Sequence, residues 1–255
     1  MLDKVGTYEF LAEPFHCDFT KKLFIGHLGN HLLNAADFHA TERGFGMDSL
    51  NPENKTWVLS RLAIEITERP TEYTRFNVET WIEGVMKYFT HRNFRIVDTD
   101  DNSRIYGYGR SIWAMIDTVT RQPQDILSIK NGAIKDYIDT EKQCPIAQLS
   151  RVKMSATAQF VTSVSTSYSD VDVNGHINSI KYIEHVLDIF PLKWYESHNI
   201  RRFDIAYVAE SHYGDRLDFY REDIAQDTIN IRIMKVQGEN SPVEVCRCRI
   251  TFENI

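Results

Sequence analysis

Apolar residues recur along the chain with two different periods, and the order of those periods is the same in both halves. Over residues 21–42, Phe24, Leu28, Leu32 and Ala35 are spaced by three and four, the signature of one buried helical face. Gly44 and Gly46 follow where such a helix would stop. Strand patterns come next. Residues 57–66 place Leu62, Ile64 and Ile66 on one face, and residues 75–82 alternate Phe76, Val78 and Thr80. Residues 89–97 and 104–119 complete the set, with Asp100-Asp101-Asn102 as the turn between them.

The second half repeats this order. A strand over residues 158–164 leads through a turn to a helix over 177–190, whose stripe is Ile180, Ile183, Leu187 and Phe190 with Val186 beside them. Strands over 203–209, 216–220, 229–236 and 243–252 follow. A sheet that curls around one helix buries its stripe, and two copies can join their sheets edge to edge, which protects the edge strands. The pattern therefore predicts an α+β protein, antiparallel and duplicated. Its first domain covers 1–120 and its second 155–255. Between them lies a polar linker over 121–154, holding Pro123, Gly132 and Pro145 and helical around 133–137.

Composition narrows the function classes. Of 255 residues, 42% are hydrophobic and 25% charged, which suits a globular protein with a substantial core. A formal charge of -7 argues against a general nucleic-acid binder. No run approaches the length of a membrane span, and the first ten residues lack a secretory pattern, so a cytoplasmic location is expected. Cys17, Cys144, Cys246 and Cys248 are too few for a disulfide scaffold and are expected as free thiols. Cys246 and Cys248 alternate in a strand, so both should face the core. His27 and His31 stand at i and i+4 on the first helix, but no zincin glutamate follows His27, and no metal or other cofactor is expected.

The densest reactive group is Ser169-Asp170-Val171-Asp172-Val173-Asn174-Gly175-His176-Ile177-Asn178. In an extended segment Asp172, Asn174 and His176 would line one side. His176 would sit near a helix start, where free N–H groups and the dipole favour developing negative charge. A carboxylate can attack or activate water, an imidazole can accept and return a proton, and a carboxamide can orient water or a carbonyl. By spacing alone the commoner use of such residues is an Asx-rich turn capping a helix.

The stretch 169–182, SDVDVNGHINSIKY, resembles the active-site motif of the acyl-acyl carrier protein thioesterases of bacteria and plastids. In that family a D-x-N-x-H-x-N run opens the second hot-dog helix and is followed by a Tyr. Residues 57–62 (WVLSRL), Thr80-Trp81, residues 92–96 (RNFRI) and residues 111–117 (SIWAMID) resemble the family's first domain in register. The resemblance implies a tandem (double) hot-dog fold. It also implies hydrolysis of fatty acyl-acyl carrier protein thioesters, with the acyl pocket in the first domain. Asp172, Asn174 and His176 match the family's catalytic residues, and Glu210 the acidic member of its second cluster. Ser211 stands where the family has a Cys, so a Cys-His-Asn mechanism has no matching thiol. Ser211, Asn178 and Tyr182 are expected to support the site, and Arg201 and Arg202 to meet an acidic carrier protein. Monomer and homodimer are both compatible with a duplicated chain. An acyl-coenzyme A hydrolase of the same fold and an acyl-binding protein without turnover remain the competing readings.

Overall fold

The computed structural model describes residues 2–149, 151–237 and 241–255. The chain falls into two compact units, one ending at Gln148 and the other beginning at Leu149. The first contains β1 (Val5–Leu11), α1 (Ile25–Glu42), the single turn α2 (Met47–Leu50), β2 (Lys55–Ile66), β3 (Arg75–Val85), β4 (Phe89–Asp98) and β5 (Ile105–Asp117). Its strands lie in the order β1-β3-β4-β5-β2, each neighbour antiparallel. The second contains β6 (Gln159–Ser165), α3 (Ser179–Leu187), β7 (His198–Tyr207), β8 (Arg216–Ala225), β9 (Thr228–Val236) and β10 (Val243–Asn254). Its order is β6-β8-β9-β10-β7, again antiparallel. The plan is the same in each. The strand before the helix lies at one end of the unit's order, the strand after it at the other, and a three-stranded meander fills the space between. This is the duplicated antiparallel α+β architecture expected, a tandem hot-dog.

Helix α1 buries Ile25, Leu28, Leu32, Ala35 and His39, and packs on β1 and β3. It starts later than its periodicity suggests, because Lys21 takes a left-handed φ of 61° and Cys17 bridges back to Leu23. Phe24, expected on the buried stripe, stands just before the helix and is 42% exposed. The C-terminus is closed by a Schellman arrangement. Gly44 N–H donates to Thr41 O and Phe45 N–H to Ala40 O, with Gly44 at φ +73°. Helix α3 is shorter than its stripe, ending before Phe190 and Pro191, yet Phe190 is still buried with Ile180, Ile183, Val186 and Leu187.

Strand β1 was not expected from its own composition, although the duplication would have supplied it, since a strand also precedes the second helix. It pairs with β3 over seven residues. A Cβ on Gly6 would meet His39 Cδ2 at 2.8 Å, so the glycine admits the close approach of strand and helix. Most of the stretch expected as a linker is packed into the first unit. Ile126, Ile129 and Ile134 are buried with Phe45, Leu50, Ile82 and Met115. Arg110, itself buried, donates to the carbonyls of Cys144 at 2.7 Å and Ile146 at 3.1 Å and to Glu83 at 2.7 Å. Cys246 and Cys248 face the same way, both fully buried, with sulfurs 3.6 Å apart. No helix among the described residues is long and apolar enough to cross a membrane.

His39 supplies a pH dependence. It is fully buried and its Nε2 donates to Lys4 O at 3.0 Å. Burial pushes its pKa down to about 3, with the Arg92 and Arg43 charges adding to the effect. The fold holds the ring neutral, so the stability it contributes is present above its unfolded value of 6.5 and is lost as the pH falls through that value toward 3. Equilibrium unfolding followed from about pH 7 to 4 should show declining stability, and His39→Gln should flatten that decline.

Candidate active site

The polar run ahead of α3 forms a tight loop, not an extended segment. Val171 bridges Ile177 across it, Asp172 N–H donates to His176 O at 2.8 Å, and Gly175 sits at φ +78°. That conformation suits glycine and explains the Asn174-Gly175 pair. Asp172 is the organising side chain. Its Oδ1 accepts from Asn174 N–H at 2.8 Å and His176 N–H at 3.3 Å, while Oδ2 accepts nothing among the described residues. The capping use of an Asx residue is thus realised inside the loop, with one carboxylate oxygen left over. Asn174 is exposed at the tip.

Asp170 anchors the base of the loop. Buried to 5% exposure, it accepts from Ser167 N–H at 2.7 Å and from His185 Nε2 at 3.1 Å, and its carbonyl accepts from Asn178 N–H at 2.8 Å. Asn178 is the N-cap of α3, its Oδ1 accepting from Ile180 N–H at 2.8 Å. His176 therefore lies ahead of the helix, whose start is capped by its own chain.

The loop is joined to the segment after β7 by Ile177 N–H donating to Ser211 O at 2.9 Å. That bond sets His176 Nε2 3.5 Å from Glu210 Oε2, both partly exposed. His212, not singled out in the sequence, meets His176 edge-on at 5.0 Å between ring centroids. Its only sequence signal is its place in the polar run Glu210-Ser211-His212. Ser211 is fully buried, and among the described residues its hydroxyl reaches no hydrogen bond of ordinary geometry; nor does the buried hydroxyl of Tyr182. Burial pushes the Tyr182 pKa up to about 12, an effect the adjacent Ser211 partly offsets. Both side chains are buried in the second unit, and Ser211 touches the loop through its backbone carbonyl.

Arg201 and Arg202 do not form a joint basic patch. They are consecutive in β7, where the register against β10 shifts and Arg201 is the extra residue of a bulge. Arg202 is forked onto Asp204, Nε to Oδ2 at 2.7 Å and Nη2 to Oδ1 at 2.8 Å, and its charge is neutralised there.

A tandem hot-dog whose second unit sets a histidine on the loop before its helix against a glutamate from the segment after the next strand defines the class of protein. The model of the acyl-ACP thioesterase N-terminal domain matches residues 4–129, and that of the C-terminal domain residues 153–254. The chain belongs to the acyl-ACP thioesterase family. It is similar to the crystal structure of an acyl-ACP thioesterase from Bacteroides thetaiotaomicron, at 49% identity and a TM-score of 0.89 over 98% of each chain. The 12:0-ACP thioesterase from Umbellularia californica shares the fold, at 22% identity and a TM-score of 0.83 over 100% of this chain and 99% of that one. A palmitoyl-acyl carrier protein thioesterase of Gossypium hirsutum is 28% identical over 192 residues, 72% of this chain and 46% of that protein. The chain thus spans about half the length of the curated relatives it matches.

Removing the cap should separate loop order from helix stability. Asn178→Ala is expected to lower the unfolding free energy by about 1 kcal/mol in urea denaturation, because Ile180 N–H loses its acceptor.

Proposed function

We propose that this protein hydrolyses fatty acyl-acyl carrier protein thioesters, releasing the free acid and the carrier thiol. The observation that carries the reading is the approach of His176 Nε2 to Glu210 Oε2 at 3.5 Å on a loop whose backbone is hydrogen-bonded at its base and across its neck. The names of the relatives support the choice of carrier protein over coenzyme A.

In the proposed reaction neutral His176 takes a proton from a water molecule as that water attacks the thioester carbonyl carbon. Glu210 stabilises the imidazolium that forms. The free oxygen of Asp172 holds the water by accepting its second hydrogen, and the Asn174 carboxamide donates to the acyl oxygen as negative charge develops there. Collapse of the tetrahedral intermediate breaks the carbon–sulfur bond, and the leaving thiolate takes the proton back from His176. Ser211 is not a nucleophile in this scheme, because it is fully enclosed.

His176→Ala and Glu210→Gln should each lower kcat/KM by about 100-fold or more while the circular dichroism spectrum is unchanged. Asp172→Asn keeps an acceptor for the two loop amides but removes the charge. It should retain the melting temperature and lose turnover by at least about tenfold, measured as thiol release. With matched acyl groups, kcat/KM for the carrier-protein thioester should exceed that for the coenzyme A thioester; the reverse order would transfer the proposal to an acyl-coenzyme A hydrolase.

A further inference from the structure

A second cluster of chemistry-bearing side chains lies in the first unit, and the reaction described above makes no use of it. Glu13 and His16 belong to the turn that follows β1, and His31 projects from α1. The ligand atoms of these three residues all lie within 4.8 Å of one another. His16 Nδ1 is 3.0 Å from Glu13 Oε2, and His31 Nε2 is 4.0 Å from the same oxygen.

His31 is the informative member. It is only 9% exposed, and neither ring nitrogen has a hydrogen-bond partner among the described residues. Buried imidazoles ordinarily satisfy at least one nitrogen, since a desolvated and unpaired polar atom is destabilising. Phe10 and Phe76 flank the ring at 4.5 and 5.6 Å and fix its orientation. His16 is held by stacking on His27, with centroids 4.0 Å apart. His27, which sequence spacing pairs with His31, therefore orients a neighbour's ring in place of joining the cluster itself.

We infer that Glu13, His16 and His31 form a binding site for a divalent transition-metal ion of the zinc class. Two imidazoles and one carboxylate are the donors of such ions; calcium and magnesium prefer all-oxygen sets. Small side-chain movements would bring all three atoms onto one ion. The half-exposed Glu13 and His16 side chains leave a path for its entry and a position for water. The ion would fasten the turn after β1 to α1 and satisfy His31. All three donors belong to the first unit, and holding the turn to the helix is the contribution assigned to the ion.

Calorimetric titration of the chelator-stripped full chain with Zn2+ tests this. One ion should bind per chain at micromolar concentration or below and raise the melting temperature. His31→Ala and His16→Ala should each weaken binding by at least about tenfold, as loss of a ligand does. Glu13→Gln, at a half-exposed position that leaves packing intact, should also weaken it. Substituted Co2+ should show no thiolate-to-metal charge-transfer band, because Cys17 is not a ligand. Absence of saturable binding to the folded wild-type chain, binding that survives both His16→Ala and Glu13→Gln, or a thiolate band would each overturn the assignment.

Discussion

One backbone hydrogen bond, from Ile177 N–H to Ser211 O, holds the two halves of the proposed catalytic cluster together. His176 precedes Ile177 and Glu210 precedes Ser211, so closing this bond sets imidazole against carboxylate without any force between their side chains. The pair itself is partly exposed and contributes little to stability. Position comes from the neutral backbone, and chemistry is left to the side chains. Asp170 and Asp172 extend the same economy. Each spends carboxylate oxygen on loop or helix groups, fixing the loop from within before any substrate arrives.

The two units use one strand plan, and both concentrate polar chemistry in the connection between first strand and helix. In the second unit that connection is the Asp170–Asn178 loop. In the first it carries Glu13 and His16, facing His31 on α1. The connection is the part of a hot-dog unit that sheet pairing leaves free, so side chains can vary there without disturbing the ladder. The shared plan thus gives the two units similarly placed loops that present different donor atoms.

The strand meanders and the stripes of both helices were legible because they depend on local alternation. Leu28, Leu32 and Ala35, and Ile180, Ile183 and Leu187, are all buried as their spacing demands. Helix boundaries were less so: a left-handed Lys21 and the cap at Asn178 trim the ends, and neither is a matter of hydrophobic period. The stretch after residue 121 looked like a linker because its few isoleucines are scattered among polar residues. Those isoleucines enter the first unit's core, and Arg110 and Trp81 hold carbonyls further along the stretch. In the site, residue types pointed to the loop, while Glu210 came only from the family resemblance. The extended geometry expected for Asp172, Asn174 and His176 was wrong, however, because Gly175 turns the chain there. His212 and His185 could not be found from spacing, since their partners lie far away in sequence or in another element.

Ser211 has a consequence for the conditions this protein tolerates. Where the family carries a thiol beside the acidic residue, this chain carries an alcohol, which peroxide and alkylating reagents leave unmodified. Cys144, Cys246 and Cys248 are buried, and only Cys17 is partly open to solvent. No thiol therefore stands next to Glu210 for such reagents to reach, and Cys17 is the cysteine they would meet first.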